Sequence, residues 1–358
     1  MKIVIIGAGV AGLSLGWRLL QAGADVTILE RSQPGSGATA AAAGMIAVTA
    51  ELMDAHAVEI EFARHSNALW PAFAEEVEAA SNRMMGYARS GILMVAADET
   101  ALARLAKRAS EPGLEMLDAA QTRAQAPLIT SPQVGALWSP KEALVDARAL
   151  GTALTHAFQR AGGRLLPNEA VVRIDRHDGR AAIAHTPFAQ YEADVFVLAA
   201  GAWSGLIEAI LAPITPIKGE MIALVPPNGE KLPLSVIWGN GIYAVPRGER
   251  LLIGATVESA GFDTALTMAA REGLRAKAES LMPALKGWRL VDHWAGLRPQ
   301  SPDGLPLLGP TALDGLWLAG GQFRNGILFA PAIAESLTAQ LMGKAAPIPA
   351  FDPRRLKA

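Results

Sequence analysis

Hydrophobic positions along the chain fall into three kinds of run, and each predicts a different element. Short continuous runs rich in β-branched residues mark strands buried on both faces. They occur at Ile3-Val4-Ile5-Ile6, over residues 25–29, over residues 194–199 and at Gly315-Leu316-Trp317-Leu318-Ala319. Apolar residues three and four apart predict helices over 13–21, 57–80, 147–162, 268–281 and 330–342, with Gly23 and Gly162-Gly163 as stops. Residues 98–127 read as two helices ended near Pro127. Alternation broken by turn residues predicts a small meander over 170–175 and 181–185 and several antiparallel strands between 220 and 258. Residues 90–96 and 164–166 add two short strands.

The order of these elements sets the fold class. Buried, parallel-type strands stand at the start, the middle and the end of the chain, and the antiparallel material lies between them. That layout predicts an α/β protein with an α+β insert: a Rossmann-like cofactor domain carrying an inserted, mainly antiparallel substrate domain. The expected boundaries are 1–85, 140–215 and 293–358 for the discontinuous cofactor domain, and 86–139 and 216–292 for the substrate domain.

Composition narrows the chemistry. The chain has 358 residues, 51% hydrophobic and 18% charged. A charged share below the ~25% usual for soluble domains excludes disorder and points to a large core and a homo-oligomer. The net charge of −2 gives no basic surface for nucleic acid or anionic membrane. With no cysteine, disulfides, thiolate nucleophiles, Fe–S clusters and thioether-linked cofactors are excluded, and the six scattered histidines suggest no metal site. Lys2 and the apolar stretch through Trp17 resemble a signal peptide, but the stretch carries three specially spaced glycines and no clean cleavage site. No apolar run reaches a membrane span. The expected location is the cytoplasm.

The strongest motif is G-x-G-x-x-G at Gly7, Gly9 and Gly12, placed directly between a strand and a helix. Gly7 permits the tight turn, Gly9 lets the backbone approach a pyrophosphate, and Gly12 lets helix and strand pack closely. The helix N-terminus then offers free N–H groups to phosphate. Glu30 lies 18 residues after Gly12 at the end of the second strand, where a carboxylate can accept from ribose hydroxyls and repel a 2′-phosphate. The fingerprint does not separate NAD from FAD. A second glycine turn, Gly320-Gly321-Gln322-Phe323-Arg324-Asn325-Gly326-Ile327, sits between a strand and a helix at the far end of the chain and suits the longer FAD.

With five further blocks in view, the chain resembles the D-amino-acid oxidase family of flavoproteins, and within it the glycine-oxidase branch associated with thiamine biosynthesis. The blocks are Ala40-Ala41-Ala42-Ala43-Gly44-Met45, Pro216-Ile217-Lys218-Gly219-Glu220, Tyr243-Ala244-Val245-Pro246-Arg247, Trp294-Ala295-Gly296-Leu297-Arg298-Pro299 and Phe323-Arg324-Asn325-Gly326-Ile327-Leu328. The resemblance implies non-covalent FAD, held by Val10, Ala11, Glu30, Arg31, Thr39, Ala43, Gly44, Met45, Val171 and the turn Gln322, Phe323, Arg324, Asn325, Gly326, Ile327 and Leu328. It makes the alanine-rich stretch a wall for the isoalloxazine ring, where the residues alone read as a flexible linker. It places substrate on Tyr243, Arg298 and Arg324. An amino-acid carboxylate in a dry pocket independently calls for a planar, bidentate guanidinium; the plain alternative for each Arg is a structural ion pair.

The implied activity is oxidative deamination of glycine or small D- or N-alkyl amino acids. Hydride passes to flavin N5, and the products are oxo acid, ammonia and hydrogen peroxide, with oxygen as acceptor. A dehydrogenase using another acceptor, a tRNA-modifying flavoenzyme and a non-catalytic flavin protein are the alternatives. Gln322 and Gly241 stand where the branch commonly has His, so the pocket is re-shaped there. His56, His65 and His293 show no partner in the sequence, Trp238 and Trp294 read as pocket or core, and Glu75-Glu76 as a solvated face.

Overall fold

A computed structural model describes residues 1–209, 211–227 and 229–356 of the chain. Six strands form the first sheet, in the order Leu307–Pro310, Leu316–Gly320, Val195–Leu198, Lys2–Ile6, Asp25–Glu30 and Arg164–Pro167. All neighbours are parallel except the first pair. Ile3 stands opposite Val26 on one side and Val195 on the other, so the N-terminal strand is central. Because side chains alternate across a strand, that one strand feeds two cores. Ile3 and Ile5 pack with the helices Val10–Gln21, Ala57–Ser81, Ala147–Arg160 and Gly326–Leu341; Val4 and Ile6 pack with Phe196, Leu198, Leu318 and the meander residues Ile174 and Ala184. The strand–glycine–helix unit is therefore fixed from both faces.

The second sheet has eight strands, in the order Arg289–Gln300, Thr215–Val225, Arg250–Gly254, Ile242–Arg247, Val236–Gly239, Ile92–Ala96, Gly135–Ser139 and Glu115–Asp118. It is antiparallel apart from the Val236–Gly239 and Ile92–Ala96 pair. The α/β class with an antiparallel insert thus stands. Three details differ from expectation. Residues 98–127 hold the helices Glu99–Ala106 and Ala119–Gln125, but the edge strand Glu115–Asp118 separates them; its four residues, two apolar between two acidic and mostly exposed, show no alternation, and Asp118 also caps the second helix. Gly135–Ser139 is a strand that the sequence left unassigned. Arg289–Gln300 is one continuous strand, paired with Thr215–Val225, and it runs through the boundary drawn at 293. Nearly all of its residues are half-buried, so no alternation betrays it. Among the described residues, no helix is long and apolar enough to cross a membrane.

Candidate active site

A cavity of about 730 Å³ runs from the first glycine turn to the second sheet. Its dinucleotide end is built from the N-terminal strand–turn–helix. Gly7 has φ +112, and a Cβ there would meet the Ala199 carbonyl oxygen at 2.5 Å; a Cβ on Gly12 would meet the Gly7 carbonyl oxygen at 2.1 Å. Gly12 thus serves helix packing and does not line the cavity, while Gly7, Gly9, Val10 and Ala11 do. The helix has no side-chain cap of its own; Thr39 supplies one, its Oγ1 accepting the Val10 amide at 2.9 Å. The amides of Gly9 and Ala11 find no acceptor among the described residues and stay available to an anion. Glu30 Oε2 accepts the Ala8 amide at 2.8 Å and Oε1 the Ser32 amide at 2.9 Å. Those bonds lock the carboxylate beside the turn and leave lone pairs on both oxygens for hydroxyl donors. The Arg31 guanidinium lies 3.4 Å from the Trp203 ring centroid, and both line the cavity with Glu169 and Val171.

The middle of the cavity is walled by the alanine-rich segment. Ala41, Ala42, Ala43, Gly44 and Met45 line it, so the stretch is ordered wall and no linker. Two close approaches hold it. A Cβ on Gly296 would sit 2.4 Å from the Ala41 Cβ, and a Cβ on Gly44, whose φ is +80, would sit 1.9 Å from the Val145 carbonyl oxygen. Arg247 Nη2 donates to the Ala43 carbonyl, and Trp294 Nε1 donates to the Ala41 carbonyl at 3.1 Å. Trp294 is thus half-buried packing behind the wall, whereas Trp238 lines the cavity. The glycine-rich, phosphate-ready end and the smooth apolar wall fit FAD.

The far end gathers Tyr243, Arg298 and Arg324 with Gln322 and Phe323, while Gly326 returns to the first helix beside Val10. Arg298 Nη1 donates to the Thr256 carbonyl at 3.0 Å and the Lys218 carbonyl at 3.4 Å, and its guanidinium lies flat on Gly219, where a Cβ would meet Nη1 at 2.3 Å. Neither Arg298 nor Arg324 is in an ion pair among the described residues. The Tyr243 ring covers Gly254 and tilts against Trp238 at 5.5 Å. Burial pushes the Tyr243 hydroxyl up to about 12, with Arg298 pulling against it, so it remains a donor. Phe323 has φ +47, an unusual conformation for a bulky residue. Its amide bonds the Pro299 carbonyl at 2.8 Å and joins the second glycine turn to the strand bearing Arg298. Asn325 and Leu328 do not line the cavity: Asn325 Nδ2 donates to Glu59 Oε1 at 3.3 Å, and the Leu328 carbonyl is taken by Ser66 and Trp70.

Segment 255–267, which supplies Thr256 to Arg298, is tied down by a buried cluster. Glu220 Oε1 lies 3.1 Å from Lys218 Nζ, and both side chains are at most 2% exposed. Glu220 also accepts from the Thr267 amide and hydroxyl at 3.0 Å and contacts His293 Nε2 at 2.8 Å. Burial raises the Glu220 carboxyl, but the Thr267 amide and Lys218 bring it below its usual range. His293 therefore has a partner through tertiary contact, as does His65, which meets Glu335 at the surface. His56 is exposed; Glu76, also exposed, pairs with Arg18.

Sequence reasoning missed Glu51, at the end of the helix Val48–Glu51. It lines the cavity, and burial pushes its carboxyl up to about 7 against the pull of Arg324 and Arg298. No motif frames it, so nothing in the sequence singled it out. Ala199–Trp203, the turn that follows the strand Val195–Leu198, also lines the cavity.

The family model described as FAD dependent oxidoreductase (DAO) matches residues 2–341, and the chain belongs to that family of FAD-dependent oxidoreductases. Within it the chain is similar to glycine oxidases. The Pseudomonas aeruginosa glycine oxidase is 34% identical over 359 residues, covering 98% of this chain and 97% of the relative. The bifunctional protein ThiO/ThiG of Trichormus variabilis is 35% identical over 337 residues, 93% of this chain. The chain spans only about half of that longer relative, 51%. Among solved structures, glycine oxidase from Geobacillus kaustophilus superposes with a TM-score of 0.94 at 29% identity over 100% of both chains. Iminodiacetate oxidase from Chelativorans sp. BNC1 follows at 0.87 and 26%, over 97% of each.

Proposed function

We propose that the chain is an oxidase of glycine or small D- or N-alkyl amino acids, converting them to oxo acid, ammonia and hydrogen peroxide in the cytoplasm. The observation that carries this reading is the convergence of two guanidiniums without protein carboxylate partners and a protonated tyrosine on the apolar cavity that fits FAD. In this reading the carboxylate of the substrate lies on Arg298, whose remaining N–H groups offer a bidentate grip, and Tyr243 donates a hydroxyl hydrogen bond to it. Arg324 adds a second positive charge from the opposite turn. The alanine wall and Trp238 exclude water, so the charged contacts act in a medium where they are strong. Bound FAD supplies the acceptor for the α-hydrogen and its electron pair. Positioning carries the rest: Arg298 and Tyr243 fix the carboxylate, which aims the α-carbon at the wall side of the cavity. Segments 1–85, 140–215 and 293–358 hold the cofactor in this scheme, 86–139 and 216–292 form the substrate side, and Arg298 and Arg324 reach across from 293–358 to the substrate.

At Gly241, an exposed residue on the rim of the cavity, an added Cβ would meet only Lys277 Nζ, at 3.8 Å, so the rim is open where the branch commonly has His. Anaerobic bleaching of the visible flavin spectrum by glycine, sarcosine and a D-amino-acid panel tests the reading. Bleaching followed by recovery in air, with peroxide formed, is expected. Bleaching without recovery in air would make the protein a dehydrogenase with another acceptor, and a flavin that no amine bleaches would overturn the reading.

A further inference from the structure

Among the acidic side chains that line the cavity, Glu30 and Glu169 stand at the dinucleotide end; Glu51 stands at the substrate end. Glu51 Oε2 is closed off from solvent and has no hydrogen-bond partner. No described donor bonds Oε1 either, and Oε1 is not closed off, so it is the oxygen open to the cavity. A buried carboxyl left without donors is costly, and only the charges of Arg324 and Arg298 offset part of that cost. The groups that share this end of the cavity with it come from several elements: Arg298 from the strand Arg289–Gln300, Tyr243 from the strand Ile242–Arg247 and Arg324 from the second glycine turn. Glu142 lies behind it, with Oε1 on the Thr49 amide and Oε2 unpartnered; Arg108 Nη1 holds the Leu52 carbonyl, and its Nη2 is unpartnered.

The chemistry of the substrate explains this arrangement. An amino acid arrives as a zwitterion. The two guanidiniums match its carboxylate, and only Glu51 matches its ammonium. An ammonium nitrogen has no lone pair with which to assist loss of an α-hydride, so the proton must leave first. We propose that Glu51 accepts that proton and is a catalytic residue of the amine oxidation described above, on which this inference rests. The N–H bond breaks with its electron pair kept on nitrogen. An O–H bond forms at the Glu51 carboxylate, and the charge pair becomes a neutral amine beside a neutral acid. The raised affinity of Glu51 for protons brings it closer to the amine than an ordinary carboxyl would be.

The test is anaerobic stopped-flow reduction of the holoenzyme from about pH 6 to about pH 10, with the amino acid that bleaches it best. The limiting rate of the natural protein is expected to rise through a limb near neutral pH and then stay flat. Glu51→Gln is expected to keep its flavin and to bind acetate, a carboxylate without an amine, at least as tightly as the natural protein. Its rate at neutral pH is expected to drop at least tenfold and to recover only as the solution itself supplies free amine. Two results overturn the role of Glu51 alone: a Gln variant with the rate and profile of the natural protein, or a natural protein whose only limb sits at the alkaline pKa of the free amine. The second needs no variant to fold. A flavin that no amino acid bleaches overturns the parent reading, and this inference with it.

Discussion

At the scale of single residues, the site depends on places where a side chain is absent as much as on those where one is present. Arg298 lies flat because Gly219 has no Cβ to lift it. Gly219→Ala is expected to raise KM while flavin content and thermal stability stay near normal, since the clash falls on the guanidinium. Loss of a buried, bidentate charge contact amounts to about 2–5 kcal/mol. Arg298→Ala should therefore lower kcat/KM by roughly thirtyfold or more, converting at 1.4 kcal/mol per tenfold. Steady-state kinetics beside a flavin absorbance spectrum checks both variants. A change under threefold in the Ala variant would remove Arg298 from the substrate role. Arg298, Tyr243 and Arg324 were legible because motifs frame them. Glu51 was not, because its significance comes from what surrounds it: a cavity and two guanidiniums from distant segments.

At the scale of elements, the alanine-rich segment shows how a bland sequence becomes a wall. Its own propensity yields only the short helix Ala38–Ala41. Its position is imposed by the long strand through Gly296, by Arg247 and by Trp294. Gly296→Val would drive Ala41 off that strand and bend the wall. The variant is expected to fold but to lose FAD on dialysis faster than the natural protein, followed by flavin fluorescence in the filtrate; retention equal to the natural protein would show that the contact is not what sets the wall. The strand–turn–helix at the N-terminus was readable because hydrophobic run, glycine spacing and helix all lie within one short stretch. Arg289–Gln300 was not, because its half-buried faces depend on partners elsewhere in the chain.

At the scale of the whole molecule, buried carboxyls make stability depend on pH in a direction opposite to that of ordinary ion pairs. Glu142 is 2% exposed, and burial pushes it up to about 7 despite the Thr49 amide. Between its usual value of 4.5 and about 7 the folded chain holds a proton that the unfolded chain has released. Stability from this residue is therefore present at low pH and falls as pH rises through that window, by about 3 kcal/mol at most. Glu142→Gln keeps an oxygen for the Thr49 amide and removes the titration. Its Tm relative to the natural protein is expected to climb from about pH 5 to about pH 8. A pH-independent difference would mean that Glu142 is not held protonated.

The sequence by itself determined the dinucleotide turn, the α/β class with its insert and the FAD-dependent class, because each is written in short blocks that are recognisable one at a time, although the blocks for FAD lie at both ends of the chain. Period, spacing and a strand-end acid are local quantities, and local physics writes them directly into the order of residues. What only the tertiary structure decided is the composition of the substrate end: the placement of Glu51 on the cavity that the guanidiniums line, the partnering of His293 with Glu220, and the turning of Asn325 and Leu328 away from the cavity. Those facts depend on desolvation and on contacts between segments up to 270 residues apart, such as His65 and Glu335. Burial and electrostatic field are properties of a folded volume, and no single stretch of chain carries them.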